Sequence, residues 1–233
     1  MVASEMDSSV MGGGLLHDWA QQIGPLAQGL WVSARLAVVG LAVGLPLGLL
    51  LAIGVGSKGR SLRWACVGIV EIARGTPMLV VRQLVYFGLP QVNITFSSFV
   101  AAVVSIAVIT AAYTSEIFRS GLAAVPHGQQ DAARALGLRT ADRLRYVIVP
   151  QGIRIAIPPL LNFAILIFQG TSLAFTIAVP ELMAQAYGIG ASTFLYMQVL
   201  SLAGLMYAAI TLPSAAGVRL LEKRLGRHVA AAA

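Results

Sequence analysis

Five stretches of this chain are apolar for about as long as a lipid bilayer is thick, and few charges fall within them. A helix needs about 20 mostly apolar residues to cross the hydrocarbon layer. The segments that qualify run from Leu30 to Ile53, Trp64 to Gly88, Phe99 to Tyr113, Ile155 to Thr176, and Phe194 to Leu212. The third is short unless its helix continues through Ile117. Composition agrees, for the 233 residues are 58% hydrophobic and only 11% charged. A soluble domain carries about a quarter charged residues, so a soluble fold of this length could bury a core but not cover its surface. The chain reads as an all-α integral membrane protein with about five transmembrane helices and no visible internal repeat.

Lys and Arg then set the orientation, because they resist translocation. Lys58, Arg60 and Arg63 follow the first segment, while Arg119, Arg134, Arg139, Arg143, Arg145 and Arg154 lie between the third and fourth. Arg219, Lys223, Arg224 and Arg227 follow the fifth. The alternate connections, LPQVNITFS and PELMAQAYGIGAS, hold neither residue type. This segregation places the N-terminus outside and the C-terminus in the cytoplasm. The organisation expected is an extracytoplasmic leader over 1–29, a transmembrane domain over 30–218 with a cytoplasmic loop at about 119–154, and a cytoplasmic tail over 219–233. The leader lacks the basic segment of a cleaved signal and reads as mobile.

The formal charge of +7 does not point to nucleic acid, because the cations flank apolar segments and form no stripe with interleaved aromatics. Cys66 is the single cysteine; it permits no internal disulfide and matches no metal-ligand spacing. His17, His127 and His228 lie outside the spans, and no nucleophile–base set converges on them. The phosphate-binding loop Gly-x-x-x-x-Gly-Lys-Ser/Thr is absent from the sequence, so no enzymatic activity is expected of the chain and any ATP must be bound elsewhere.

Gly40, Gly44, Gly48 and Ala52 recur every four residues and therefore share one helix face. That face is either a seam for close backbone approach or a reflection of how common glycine is in membrane helices. Pro46, in the same turn, is expected to bend the helix.

In the cytoplasmic loop, Pro126 is placed to start a helix and Gly137 to end one. The short helix between them is expected to expose Ala132, Ala133, Ala135 and Leu136. It is too short to persist alone in water. Two environments could hold it: a cleft in another protein, which suits small side chains, or the lipid headgroups, with its arginines on anionic lipid.

QQDAARALGLRTADRLRYVIVPQ resembles the cytoplasmic loop motif of ABC importer permeases. Asp131 stands where that motif has Glu, Ala132 and Ala133 supply its alanines, and Gly137 its glycine. EIARGTPMLV, YFGLP, AAYTSEIFRSGLAAVPHGQQDAARALG and GTSLAFTIAVPEL resemble the polar amino acid permeases, the histidine/glutamine/arginine group. The likeness runs from about Leu30 to Leu225. It implies a type I ABC importer permease fold (MetI-like) in a bacterial inner membrane. It also implies an ABC ATPase dimer that holds ATP and Mg, a second permease subunit, an extracytoplasmic solute-binding protein, and a substrate that is a polar amino acid. By the same resemblance Gln130, Asp131, Ala132, Ala133, Leu136 and Gly137 belong to a coupling helix that rests in a groove of the ATPase. An ion-gradient-driven secondary transporter is the alternative by composition; it would call for inverted repeats and ionisable groups at mid-membrane, and neither is evident in the sequence.

Charged and polar residues in the spans are the remaining candidates, since they are costly there. Glu71 with Arg74, and Glu116 with Arg119, are each three residues apart, a spacing that allows an ion pair fixing helix depth or serving a gate. Gly75, Thr76 and Pro77 are expected to interrupt the second span, with Thr76 re-satisfying freed backbone. Candidate path residues are Arg82, Gln83, Thr171 and Ser172. Arg82 departs from the family, which has apolar residues or glutamine there; it faces protein or water, or snorkels toward Gly88, roughly 9 Å of helix away. Facing the path, it would attract a carboxylate and repel a cationic side chain. Gln169 and Gly170 replace a Lys-Asp pair common in the family, leaving Thr171 and Ser172 to bind ligand or to satisfy their own helix.

Overall fold

The computed structural model describes residues 8–230, and these are helical throughout apart from short connections. Residues 1–7 of the expected leader and 231–233 of the tail lie outside the described residues. Nine α-helices follow in order: α1 (Ser8–Val55), α2 (Arg60–Gly75), α3 (Met78–Gln83), α4 (Ser98–Ala123), α5 (His127–Ala135), α6 (Thr140–Arg143), α7 (Val149–Gly170), α8 (Leu182–Thr193) and α9 (Tyr196–Ala230). Four helical stretches are long and apolar enough to cross a membrane, within α1, α4, α6–α7 and α9, and the bent pair α2–α3 makes a fifth.

Several boundaries differ from those read in the sequence. Residues 8–29, expected as a mobile leader, are helical and continuous with the first span. The third span does not stop at Tyr113 but runs to Ala123, because its hydroxyls bond to its own carbonyls: Thr114 Oγ1 to Thr110 O at 2.7 Å and Ser115 Oγ to Ala112 O at 2.7 Å. The fourth span begins earlier, at Val149, and its last residues, Thr171–Ile177, tighten into a 3₁₀ helix. Phe194 does not open the fifth span; it ends α8 with a left-handed backbone, φ 61°. The PELMAQAYGIGAS connection is mostly α8 itself, whose 12 residues cover only about 18 Å and so cannot cross.

α4 is the central helix, with a larger share of its span buried than any other. The glycine face of α1 lies directly on it. A methyl group at Gly40 would strike Ile106, one at Gly44 would strike Thr110 and approach the Ala107 carbonyl at 2.9 Å, and one at Gly48 would strike Thr114. The glycines are a packing seam within the fold, and Ile106, Thr110 and Thr114 answer them at the same four-residue repeat. Such closeness matters in lipid, where association rests on van der Waals contact between backbones more than on the hydrophobic effect. Around the seam, Leu36, Ala102, Ile109, Phe163 and Ile167 form the main core, and Leu26, Leu182, Ala186 and Val199 a second beneath α8 and α9. The described helix α1 passes through Pro46 without interruption.

Glu181 fastens three of these helices. It is fully buried and caps the N-terminus of α8: Oε1 accepts from Ala184 N at 2.8 Å, and Oε2 from Met183 N at 2.9 Å. Tyr207 of α9 donates its hydroxyl to Oε2 at 3.0 Å and Ser33 of α1 does so at 3.2 Å, while Ser33 Oγ accepts from Leu182 N at 3.3 Å. A carboxylate at a helix N-terminus also meets the positive end of the helix dipole.

Two substitutions test this account by thermal unfolding in detergent. Gly44→Leu is expected to destabilise the protein by roughly 1–3 kcal/mol through overpacking, whereas Gly204→Leu, with nothing within 4 Å of the position, leaves it unchanged. Glu181→Ala strands several buried donors and is expected to cost about 3 kcal/mol; an unfolding temperature equal to the parent's would refute the fastening role.

Candidate functional site

The second span turns at the place its sequence indicated. α2 ends at Gly75, Thr76 and Pro77 adopt extended backbone, and the axis bends by 105° before α3. Thr76 Oγ1 donates to the Ile72 carbonyl at 2.7 Å, which satisfies one of the acceptors exposed by the missing helical turn. Gly75 has nothing within 4 Å of an added methyl. α3 then runs for six residues, Leu84–Gly88 is a π-helical turn, and Leu89–Val92 is 3₁₀. Irregular backbone at membrane depth is tolerated where protein or a water-filled cavity covers it.

Arg82 sits in α3 next to that π turn and is fully buried, 0% exposed. It therefore does not snorkel. Its Nε donates to Ser105 Oγ of α4 at 3.4 Å and its Nη1 to the carbonyl of Gly170, the last residue of α7, at 3.3 Å. Gln83 beside it is half-buried. Across from Arg82, Thr171 opens the 3₁₀ segment and gives its hydroxyl proton to the Phe168 carbonyl at 2.6 Å. Its proton serves its own helix, while the neighbouring Ser172 is half-buried. The structure thus brings Arg82, the Gly170 carbonyl and Thr171 to one junction between α3, α4 and the end of α7.

Of the two expected ion pairs, one forms. Arg119 Nη1 meets Glu116 Oε2 at 3.3 Å on a partly exposed face. Glu71 and Arg74 do not pair: the Arg74 guanidinium lies 5.6 Å from the Tyr113 ring centroid, and the Tyr113 hydroxyl donates to the Arg74 carbonyl at 3.4 Å. The aromatic face draws the cation away from Glu71. Arg74, Tyr113, Glu116, Ser120 and Pro159 line an open cleft of about 430 Å³ between α4 and α7.

The cytoplasmic loop forms the short helix its punctuation indicated. α5 spans His127–Ala135 after Pro126, and Gly137 adopts φ +73°. Gly137 N donates to Arg134 O at 2.9 Å and Leu138 N to Ala133 O at 3.1 Å, the bond pair of a Schellman cap, which needs a residue without a side chain at this position. Gln130 Nε2 anchors the first turn through the Val125 carbonyl at 3.3 Å, and Asp131 pairs with Arg134 at 3.2 Å. Ala132, Ala135 and Leu136 are exposed, Leu136 by 80%. Ala133 is the correction: it is buried, turned inward against the rest of the chain, so only the other face is presented outward.

Two residues escaped the sequence reading. Glu181 was passed over as part of a polar connection; its signal was an acid directly after Pro180 at the head of an apolar run, the mark of a helix start. Arg35 lies within the first span, exposed, with its guanidinium 5.4 Å from the Phe99 ring centroid. Among the described residues no group of three His, Cys, Asp or Glu side chains could hold a metal ion.

This arrangement of helices has close counterparts. A chain of an amino acid ABC transporter, in a crystal structure with histidines, superposes with a TM-score of 0.86 at 31% identity, over 89% of this chain and 97% of that one. The MetNI methionine ABC transporter in its inward-facing form shares the fold at a TM-score of 0.65 and 21% identity, over 86% of this chain and 98% of that one. In sequence, the probable amino-acid ABC transporter permease YckA of Bacillus subtilis (strain 168) is 37% identical over 87% of this chain and 89% of its own length. The glutamine transport system permease GlnP of Escherichia coli (strain K12) is 36% identical over 84% and 89%. The model of the binding-protein-dependent transport system inner membrane component covers residues 44–227. That match, the shared type I importer fold and the run of amino-acid permeases favour the importer over the secondary-transporter alternative, and the chain belongs to the binding-protein-dependent inner membrane components, the permease subunits of ABC importers.

Proposed function

We propose that this chain forms the translocation path for a polar amino acid and couples it, through α5, to a separate ABC ATPase dimer that carries ATP and Mg. A second permease subunit of the same or a homologous sequence completes the path, and an extracytoplasmic solute-binding protein delivers the substrate. The N-terminus lies outside and the C-terminus in the cytoplasm, as the distribution of Lys and Arg supports. Relatives are named for arginine, cystine and glutamine, so the amino acid class, and no single member of it, carries over. The chain performs no chemistry of its own in this scheme.

The observation that carries the reading is the division of α5 into two faces. Ala133 is buried against the chain, while Ala132, Ala135 and Leu136 face outward with small or apolar side chains. A helix of nine residues gains little stability from its own hydrogen bonds. Anchored by Ala133, Gln130 and the cap at Gly137, it behaves as a rigid knob whose outer face suits a groove. α7 follows it through α6 and a π turn at Leu144–Ile148, so a push on α5 reaches the membrane within a few turns of helix.

Cross-linking tests the assignment directly. In a Cys66→Ser background, Ala132→Cys is expected to cross-link to a cysteine in the partner ATPase, and the buried Ala133→Cys is not. Uptake in vesicles should require ATP and the ATPase and should ignore an imposed ion gradient. Failure of Ala132→Cys to capture the ATPase while uptake proceeds normally would overturn the coupling role.

A further inference from the structure

Arg82 is a cation enclosed by protein with more donors than acceptors. Its two hydrogen bonds are long, 3.4 and 3.3 Å, and go to the neutral groups Ser105 Oγ and Gly170 O. Its Nη2 is buried without an acceptor. Among the described residues no carboxylate comes within 4.0 Å of it, the ion pairs being those of Arg119 and Arg134. Glu181 is the buried carboxylate of the described interior, and Ser33, Tyr207 and two backbone amides already occupy its oxygens. Position 170 is a glycine, so the α7 end offers Arg82 a carbonyl and no charged side chain.

Burying a charge without a counter-charge in contact is costly, and the cost is recovered if an anion occupies the place during part of a working cycle. The neighbourhood suits that use. Arg82 stands between a π turn and the 3₁₀ segment Thr171–Ile177, and π turns concentrate at functional positions. The 105° bend at Thr76–Pro77 gives α3 a joint about which it can move from the end of α7.

Resting on the amino-acid permease reading, we propose that Arg82 is the receptor for the α-carboxylate of the transported amino acid, closed in this conformation and opened when α3 parts from the α7 end. A guanidinium in such a site binds a carboxylate by paired, charge-assisted hydrogen bonds and repels a second cation. The substrate class is therefore an amino acid with a neutral or acidic side chain, and lysine-like or arginine-like side chains are disfavoured.

The test measures direct binding to the purified permease–ATPase complex without the solute-binding protein, which would impose its own selection. Probes are alanine, glutamine, glutamate, cystine and arginine, each beside its α-amide. The parent is expected to bind at least one neutral or acidic probe about tenfold or more tighter than its α-amide, and tighter than arginine. Arg82→Gln should erase that discrimination, and Arg82→Lys, which keeps the charge but loses the fork, should retain part of it. A merely structural arginine would leave the acid-to-amide ratio untouched. Should Arg82→Gln fail to assemble, the acid-to-amide ratio of the parent and of Arg82→Lys still decides. Equal binding of acid and amide by the parent, no binding of any probe, or discrimination that persists in Arg82→Gln overturns the carboxylate site. In parallel, ATP-driven uptake by the parent complex with its solute-binding protein is measured across the full set of proteinogenic amino acids and cystine, and uptake of none of them would refute the permease reading itself.

Discussion

Inside a bilayer a helix cannot rely on water to push it against its neighbours, and its backbone must find every hydrogen-bond partner within protein. The contact of α1 with α4 meets both demands. Three glycines on one face let α1 come within van der Waals range of the α4 backbone, while the hydroxyls of Ser105, Thr114 and Ser115 bond to carbonyls of their own helix. With α4 sheathed in this way, α2, α3 and α7 pack around it. The broken second span satisfies part of its own freed backbone, through the Thr76 hydroxyl that donates to the Ile72 carbonyl.

Among the described residues a carboxylate and a guanidinium are fully buried, and the fold treats them in opposite ways. Glu181 is saturated: two amides and two hydroxyls from three helices converge on it, so it acts as a fastener. Arg82 is left with unused capacity beside a bend and two non-α turns. A saturated charge fixes geometry, and an unsaturated one is receptive. They lie at either end of the same 3₁₀ passage, which begins beside the Gly170 carbonyl and leads to the cap of α8.

Much of this was legible because it depends on local chemistry. The four-residue glycine repeat gave the seam's face, Gly75-Thr76-Pro77 gave the break, and Pro126 with Gly137 gave both limits of α5. What stayed hidden required partners far along the chain. Glu181 gains its meaning from Ser33, 148 residues away, and no periodicity announces that. The inward turn of Ala133 was invisible because a run of alanines carries no apolar contrast between faces. The third span reads as short unless it continues through Ile117, and its full extent to Ala123 takes in Thr114 and Ser115, whose hydroxyls bond within the helix. The absent Glu71–Arg74 pair reflects a competitor, Tyr113, brought near only by folding.

The cap at the end of α5 has a wider meaning. The length of α5 is set by a proline before it and a left-handed glycine after it, both properties of main chain, and its seat by the inward Ala133 and the bond from Gln130 to the Val125 carbonyl. The outward side chains do none of that work. Substitutions on the outward face therefore leave the length of α5 unchanged, whereas loss of Pro126 or of Gly137 would alter it.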